Sequence, residues 1–321
     1  MKVLISLDLP SIYVERIRGV SPSLEVVQSE NKEEALRLVK DADVLLAGSV
    51  SRELFLAARK LKWIQAWGAG VDRFLFPEVV NSPVTLTNAS GVHPTPISEH
   101  VLGMMLCFCR KLHVSIRNQV ERKWERFESE EPAEQVEELV GKMLGVVGLG
   151  EIGTEIARKA NCLGMNVIAT KRNSSRPAPT GIERLFAPAD LNQLLAESDY
   201  VVLSLPLTNE TAGMIGEAQL KSMKRTCYLI NVSRGKIVQE NRLIEALKKG
   251  WIAGAGLDTF ENEPLPKNSE LWGFKNVIIT PHVAGQTPYY MERLTRIFCE
   301  NLNRFIHKKP LINMVDKTLG Y

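Results

Sequence analysis

The chain has 321 residues, of which 45% are hydrophobic and 24% charged. This length favours two domains, and this composition excludes a disordered chain. The formal net charge is only +3, from 40 basic and 37 acidic residues, which argues against binding of nucleic acid or membrane surfaces through a basic excess.

The first residues and the cysteines add two expectations about location. The apolar run at the start is too short to predict a cleaved signal peptide or a membrane span. The five cysteines form no C-x-x-C pair, and no histidine cluster has zinc-ligand spacing. We therefore expect no metal, and a reducing, cytoplasmic compartment.

Five short apolar segments in the first part of the chain have the pattern of strands. They read KVLISLDL, LEVVQS, DVLLAG, KWIQAW and VTLTNA. A helix-like segment with Asn31 as its predicted N-cap lies between the second and the third. Strands that alternate with helices predict a parallel sheet covered on both faces.

The pattern becomes helical from Ile97 to about Lys123 and is apolar almost all round in its first half, which predicts a long buried helix. The charged stretch that follows, to about residue 142, is interpreted as a solvated helix-and-loop connector. Six further strand-like segments then alternate with helices: KMLGVVGLG, NVIAT, YVVLSLPL, CYLINV, IAGAGLD and NVIITP. They predict a doubly wound unit, followed by a last helix from about Pro288 to His307.

The glycine motif GLGEIG follows the strand KMLGVV and opens the next helix. Gly148, Gly150 and Gly153 have the G-x-G-x-x-G spacing of dinucleotide sites. Gly148 would permit the tight turn, Gly150 the close approach of a pyrophosphate, and Gly153 the packing of helix on strand. Dinucleotide binding is therefore predicted, the alternative being a glycine-rich turn without a ligand.

The residues after the next strand indicate which dinucleotide binds. An NAD site usually has an acidic residue there, which holds the ribose hydroxyls. This chain has Lys171 and Arg172 instead, with Ser174 close by and no carboxylate expected nearby. Two cations and a hydroxyl suit a 2′-phosphate, so NADPH is predicted over NADH. The alternative is that these cations are only solvated.

Three later segments carry polar residues that the fold alone does not require. They are NVSRGKIV with Arg234, GAGLDTFENEPLP with Asp258 and Glu263, and TPHVAG with His282. Each follows a predicted strand, and ligands bind beyond the carboxyl ends of strands in open α/β sheets. We expect all of these side chains at the nucleotide edge of the sheet.

An ordered series of motifs from about Trp67 to Thr287 resembles a known family. The series is WGAGVD, VGLGEIG, VLSLPLT, MKRTCYLINVSRGKIV, GAGLDTFENEPLP and TPHVAGQT, and the family is that of the D-isomer-specific 2-hydroxyacid dehydrogenases. Residues before the series match only in pattern. The resemblance implies an α/β fold in which a Rossmann cofactor domain, residues 98–288, is inserted into a flavodoxin-like substrate domain, residues 1–97 and 289–321.

The resemblance also implies a role for each polar residue. His282 would be the general acid and base, Glu263 would hydrogen-bond it and stabilise its imidazolium form, and Arg234 would bind the substrate carboxylate. The backbone N–H groups of Ala69 and Gly70, in WGAGVD, would cap the other carboxylate oxygen.

The implied cofactor site extends over several loops, with Asp258 orienting the nicotinamide carboxamide. The predicted cofactor-binding residues are Gly148, Gly150, Glu151, Ile152, Gly153, Lys171, Arg172, Ser174, Leu205, Pro206, Thr211, Val232, Ser233, Arg234, Asp258, His282 and Gly285. An apolar or aromatic substrate pocket is suggested by the positions of Trp67, His93, Tyr289, Tyr290 and Met291.

The predicted activity is hydride transfer between NAD(P)H, with NADPH favoured, and a small 2-keto acid or D-2-hydroxy acid. Two alternatives of the same fold stay open: a nucleotide-sensing corepressor and a short phosphoglycerate dehydrogenase. The resemblance implies a homodimer formed through the cofactor domains, with Trp124 either packed against the partner or simply exposed. No nucleic-acid or membrane partner is expected.

Overall fold

The computed structural model describes residues 1–127, 135–172 and 178–320. The chain divides into two compact units: unit 1 comprises residues 1–93 and 287–321, and unit 2 comprises residues 94–286. Both are parallel-sheet α/β structures, so the predicted fold class is confirmed. Which unit binds cofactor and which binds substrate stays a prediction.

Unit 1 contains one five-stranded parallel sheet. Its strands are β1 (Lys2–Ser6), β2 (Glu25–Gln28), β3 (Val44–Ala47), β4 (Trp63–Ala66) and β5 (Thr85–Thr87). Their order is β2-β1-β3-β4-β5, which is the flavodoxin-like order. The helices of this unit are α1 (Ser11–Arg18), α2 (Lys32–Leu38), α3 (Arg52–Ala57), α4 (Pro77–Val80) and the last helix, α11 (Tyr290–Ile306).

Local sequence accounts for two of these helices. Asn31 caps α2 as predicted, because its Oδ1 accepts hydrogen bonds from the N–H groups of Glu33 and Glu34 at 2.9 and 3.0 Å. Helix α11 buries its apolar face, and the ring of Phe298 lies 5.3 Å from that of Trp63 in β4. The C-terminal helix is thereby built into the core of unit 1.

Unit 2 contains a seven-stranded parallel sheet. Its strands are β6 (Met143–Val147), β7 (Asn166–Thr170), β8 (Arg184–Phe186), β9 (Tyr200–Leu203), β10 (Tyr228–Asn231), β11 (Gly254–Leu257) and β12 (Val277–Ile279). Their order is β12-β11-β10-β9-β6-β7-β8. Counted from β6, this is the Rossmann order with one further strand at the β12 edge. The three-residue edge strand β8 was not predicted.

The helices of unit 2 cover both faces of this sheet. They are α5 (Pro94–Cys109), α6 (Leu112–Val120), α7 (Glu151–Cys162), α8 (Leu191–Glu197), α9 (Glu217–Ser222) and α10 (Glu240–Lys249). The single long helix predicted from Ile97 is wrong, because Lys111 has a left-handed φ of 52° and separates α5 from α6. The buried Lys111 ammonium donates to the hydroxyl of Tyr228 at 3.2 Å, which holds this break in place.

The predicted charged connector is only partly described. Residues 121–127 and 135–142 contain no helix, and residues 128–134 lie outside the described part of the chain. Across the residues that the structure covers, no helix has the length and apolar character needed to cross a membrane.

Candidate active site

The glycine turn between β6 and α7 has the form a pyrophosphate requires. Gly148 has a φ of +99°, and a Cβ there would lie 2.7 Å from the carbonyl oxygen of Ser204. A Cβ on Gly153 would lie 2.3 Å from the carbonyl oxygen of Gly148. Around Gly150, by contrast, the Cβ position is open, and no side chain caps the start of α7. The turn therefore fits a dinucleotide, with room for its phosphates at a helix N-terminus.

Two hydroxyl groups that the sequence analysis missed hold this turn. Thr170, at the end of β7, accepts a hydrogen bond from the Gly148 N–H at 3.0 Å. Ser204, just after β9, donates to the Gly148 carbonyl oxygen at 2.7 Å. The glycine turn is thus fixed to both strands that flank β6.

The predicted 2′-phosphate cations lie directly after β7, as expected from their order in the chain. However, the expectation that no carboxylate lies nearby is wrong, because Glu210 Oε2 is 3.2 Å from Arg172 Nη2. Glu210 comes from the loop after β9, and the parallel fold brings the two loops together across 38 residues of sequence. Ser174 lies outside the described residues.

The loop after β9 is joined to the loop after β10 by a reciprocal pair of hydrogen bonds. The hydroxyl of Ser233 donates to the carbonyl oxygen of Leu205 at 2.9 Å and accepts from its N–H at 2.8 Å. Within the first loop, Thr211 Oγ1 donates to the carbonyl oxygen of Pro206 at 2.7 Å. Four predicted cofactor residues are therefore held in one connected structure.

Arg234 follows β10 in a loop organised by the buried Asn231. The Asn231 side chain donates to the Arg234 carbonyl oxygen at 3.1 Å and accepts from the Ser233 N–H at 3.1 Å. The next residue, Gly235, packs so closely on the loop after β11 that a Cβ would lie 1.8 Å from the carbonyl carbon of Phe260. The loop of the half-buried Arg234 is therefore packed directly against the loop that carries Glu263.

His282 and Glu263 form the hydrogen bond that the sequence predicts. His282 Nδ1 lies 2.8 Å from Glu263 Oε2, and the other carboxylate oxygen accepts from the Phe260 N–H at 3.1 Å. Because an ionised carboxylate can only accept, Nδ1 must carry the shared proton. Nε2 is then the ring nitrogen available for proton exchange with a substrate, and the 47% exposed His282 side chain leaves it accessible.

The backbone of His282 has an unusual conformation that Asp258 supports. His282 has a left-handed φ of 55°, which costs about 1–3 kcal/mol and persists only where surrounding contacts fix it. The buried carboxylate of Asp258 accepts from the N–H groups of Val283 and Ala284 at 2.9 and 3.0 Å. It also accepts from the hydroxyl of Thr280 at 2.6 Å. Asp258 therefore contacts the loop on both sides of His282.

A second histidine, which sequence reasoning did not assign to the site, completes this cluster. His100 Nε2 lies 3.0 Å from Thr280 Oγ1 and 3.9 Å from Asp258 Oδ1. Burial lowers the pKa of His100, and the negative charge of Asp258 opposes that shift only in part. The segment TPHVAG contains Thr280 and could have indicated it, whereas His100 is hidden in an apolar helical pattern.

The remaining predicted cofactor residues of unit 2 occupy three kinds of position. Glu151 and Ile152 form the first turn of α7, and Gly285 lies in the turn after Ala284. Val232 belongs to the core, so only its backbone is accessible to a ligand. Within the described ranges, no group of three or more His, Cys, Asp or Glu side chains has the arrangement of a metal site.

The predicted substrate-binding turn belongs to unit 1. Ala69 and Gly70 follow β4, and the side chain of Asn88 donates to the Ala69 carbonyl oxygen at 2.9 Å. Gly70 is exposed. The turn is therefore fixed from the segment after β5, within unit 1 itself.

The aromatic pocket candidates are also in unit 1, and only some of them meet. The ring of Tyr290 lies 5.5 Å from that of Trp67 and 5.3 Å from that of His93. Its hydroxyl donates to the Trp67 carbonyl oxygen, and burial raises the pKa of Tyr290 to about 12. Tyr289 is exposed instead, and Met291 packs against the core of unit 1.

Comparisons with known proteins identify the family of this chain. Residues 102–284 match the family model for the NAD-binding domain of D-isomer specific 2-hydroxyacid dehydrogenases. A glyoxylate reductase of Korarchaeum cryptofilum is 36% identical over 293 residues, covering 89% of this chain and 86% of that protein.

Two solved structures are similar over nearly the whole length of the chain. A D-isomer specific 2-hydroxyacid dehydrogenase family protein from Aeromonas salmonicida has a TM-score of 0.86 and 32% identity, covering 98% of this chain and 99% of that one. An NADPH-dependent glyoxylate/hydroxypyruvate reductase from Sinorhizobium meliloti, solved with NADP and sulfate, has a TM-score of 0.85 and 29% identity, covering 100% and 99%. The family resemblance seen in the sequence is confirmed: the chain belongs to the D-isomer-specific 2-hydroxyacid dehydrogenases and is an NAD(P)-dependent oxidoreductase.

Proposed function

We propose that this dehydrogenase reduces small 2-keto acids to D-2-hydroxy acids with NADPH, using His282 as the proton donor. The observation that carries this proposal is the 2.8 Å bond between His282 Nδ1 and Glu263. It orients the ring and leaves Nε2 for the substrate oxygen. In the reverse direction the same nitrogen accepts the proton of the hydroxy acid.

The other residues bind and orient. The nicotinamide, when bound, supplies or accepts the hydride. Arg234 binds the substrate carboxylate with its guanidinium fork and polarises the keto group. The role that the resemblance implies for Ala69 and Gly70 stays a prediction. Asp258 fixes the loop of His282, and it is also the residue proposed to meet the nicotinamide carboxamide.

NADPH preference rests on the charges after β7. Lys171 and Arg172 supply two cations where an NAD site usually has a carboxylate. Glu210 reduces this preference, because it neutralises part of the charge that a 2′-phosphate would meet. The reductase from Sinorhizobium meliloti that resembles this chain is NADPH-dependent, which supports the same choice here.

A homodimer is proposed from an exposed apolar stripe on and after α6. Leu112, Ile116 and Val120 recur every four residues along α6, and Trp124 follows the end of the helix. Val120 and Trp124 are 81% and 94% exposed. An apolar row at helical spacing that faces solvent marks an association surface. Equilibrium sedimentation of the wild type and of Val120→Asp should give a dimer and a monomer, and a monomeric wild type at micromolar concentration would remove this proposal.

A reducing, cytoplasmic compartment is proposed from the thiols. All five cysteines are free. Cys109 and Cys227 are buried, and desolvation raises the pKa of both thiols. They are therefore unreactive core residues, which suits a protein kept in a reducing environment.

A substrate panel tests the proposed reaction. Purified protein is mixed with NADPH or NADH and with glyoxylate, hydroxypyruvate, pyruvate or a branched 2-keto acid, and the loss of reduced-nicotinamide absorbance is followed. Glyoxylate and hydroxypyruvate should react fastest with NADPH, as the names of the similar proteins suggest. Tight NADPH binding without turnover of any acid would favour the corepressor alternative instead.

A further inference from the structure

The loop that carries His282 is held by more than its catalytic partner Glu263. Oδ1 of Asp258 accepts from the Thr280 hydroxyl, two residues before His282, and from the Val283 N–H, one residue after it. One carboxylate oxygen therefore closes the loop around the left-handed backbone of His282. These bonds hold a backbone conformation that few non-glycine residues adopt.

The direction of each hydrogen bond in this cluster follows from its chemistry. The carboxylate of Asp258 accepts two backbone N–H groups, as an ionised group does. The Thr280 hydroxyl must therefore give its only proton to Asp258, and it can only accept from His100. His100 consequently carries its proton on Nε2, in either ionisation state of the ring.

His100 connects this loop to the cofactor side of unit 2. It lies on α5, whose buried residues Ile97 and Val101 share one core cluster with Ile156 and Ala157 of α7. Helix α7 begins at the glycine turn. Packed side chains thus join the helix that carries His100 to the helix that follows the glycine turn.

We propose that Thr280 and His100 are positioning residues for His282. His100 orients the Thr280 hydroxyl, Thr280 and the two N–H groups orient Asp258, and Asp258 fixes the backbone from which the His282 ring projects. Neither Thr280 nor His100 exchanges a proton with substrate. The inference rests on the proposed role of His282 as acid and base.

Matched substitutions test it. Thr280→Val keeps the shape of the side chain and removes the hydroxyl, whereas Thr280→Ser keeps the hydroxyl. His100→Leu removes the donor, and His100→Gln keeps an N–H at the position of Nε2. Thr259→Val is the control, because Thr259 is buried beside Asp258 and its hydroxyl has no hydrogen-bond partner among the described residues.

Five quantities are measured for each variant: kcat, KM, the Kd for NADPH from its fluorescence, Tm and the primary deuterium isotope effect on kcat. Thr280→Val should lower kcat about tenfold, because a small misplacement of an acid is costly. Its Kd for NADPH should change less than its kcat does, because α7 and the glycine turn are untouched and only the proposed contact of Asp258 with the nicotinamide carboxamide is disturbed. The primary deuterium isotope effect on kcat with NADPH labelled at the transferred hydrogen should rise as chemistry becomes slower than product release.

The conservative variants should recover the rate. The kcat of Thr280→Ser and of His100→Gln should stay within about threefold of the wild-type value. The kcat of Thr259→Val should stay within about twofold, since a hydroxyl without a hydrogen-bond partner does not position its neighbours. Unchanged kcat in Thr280→Val, or Thr280→Ser as slow as Thr280→Val, would overturn the inference. If Thr280→Val fails to fold, the His100→Leu and His100→Gln pair decides by the same criteria.

The failure of this inference can be told from failure of the proposed function. If His282→Gln keeps its turnover, His282 is not the acid and both fail. If His282→Gln is inactive while Thr280→Val is as fast as wild type, only the positioning role fails.

Discussion

At the β10–β12 side of the unit 2 sheet, Asp258 is 1% exposed and accepts three hydrogen bonds from one loop. At the β7 side, Arg172 and Glu210 form an ion pair whose side chains are 50% and 79% exposed. A buried charge that is fully hydrogen-bonded fixes the atoms around it, because each lost bond is costly. An exposed pair contributes only about 0.2–1 kcal/mol and rearranges easily. The first region therefore suits the proposed catalytic geometry, whereas the second suits the proposed, adjustable coenzyme preference.

The largest effect expected from this contrast is at His282. His282→Gln should lower kcat by about 10²–10⁴, because it removes the proposed proton donor. The Kd for NADPH, measured by fluorescence titration, should stay close to that of wild type. A variant with most of its turnover would exclude His282 from proton transfer.

The second largest effect is expected of Arg234→Ala, which should lower kcat/KM about 10- to 100-fold. The loss corresponds to charge-assisted hydrogen bonds of about 1.5–3 kcal/mol to the substrate carboxylate. KM should rise and kcat should fall, because the fork acts on substrate and transition state alike. Arg234→Lys is the matched control: recovery of full activity by a point charge would contradict a bidentate contact.

At the exposed side the expected effects are smaller and concern the coenzyme. Replacing Lys171 and Arg172 together by alanine should raise the KM for NADPH about tenfold, since one charge-assisted contact to phosphate is worth about 1.5 kcal/mol. The KM for NADH should hardly change. Steady-state kinetics with both coenzymes measure the ratio of the two KM values. An equal rise in both KM values would mean that the cations do not bind the 2′-phosphate.

The smallest effect sharpens the comparison most. Glu210→Gln should lower the KM for NADPH by at most about fivefold, because it removes one exposed ion pair of Arg172 worth about 0.2–1 kcal/mol. The gain should shrink at high salt, which screens exposed charges. Glu300→Gln is the control, because it breaks the exposed pair with Arg304 in unit 1. It should leave the KM for both coenzymes unchanged. If the decrease in the KM for NADPH were as large in about 1 M salt as at low salt, its origin would not be electrostatic.

The same contrast explains what could be predicted from the sequence. The predicted strands of both sheets, the glycine turn and the Glu263–His282 bond follow from local patterns and from ordered motifs. The break at Lys111 was missed because a left-handed residue leaves no mark in apolar periodicity. Strand β8 was missed because it begins with Arg184 and contains no β-branched residue, so it lacks the apolar run that marked the other strands.

Contacts between distant loops were harder to predict still. Glu210 meets Arg172 because the loops after β7 and β9 both begin at the carboxyl edge of the sheet. His100 reaches Thr280 across 180 residues. Chemical type alone gives no reason to pair a histidine in an apolar helix with a threonine after a strand, so the fold has to be seen first.

The left-handed φ of 55° at His282 has a practical consequence for crystallography of trapped complexes. Asparagine adopts this conformation more readily than glutamine or alanine does. His282→Asn should therefore remove the ring with the least disturbance of the surrounding chain. That substitution is the better starting point for crystals in which an unreacted 2-keto acid and reduced coenzyme are held side by side.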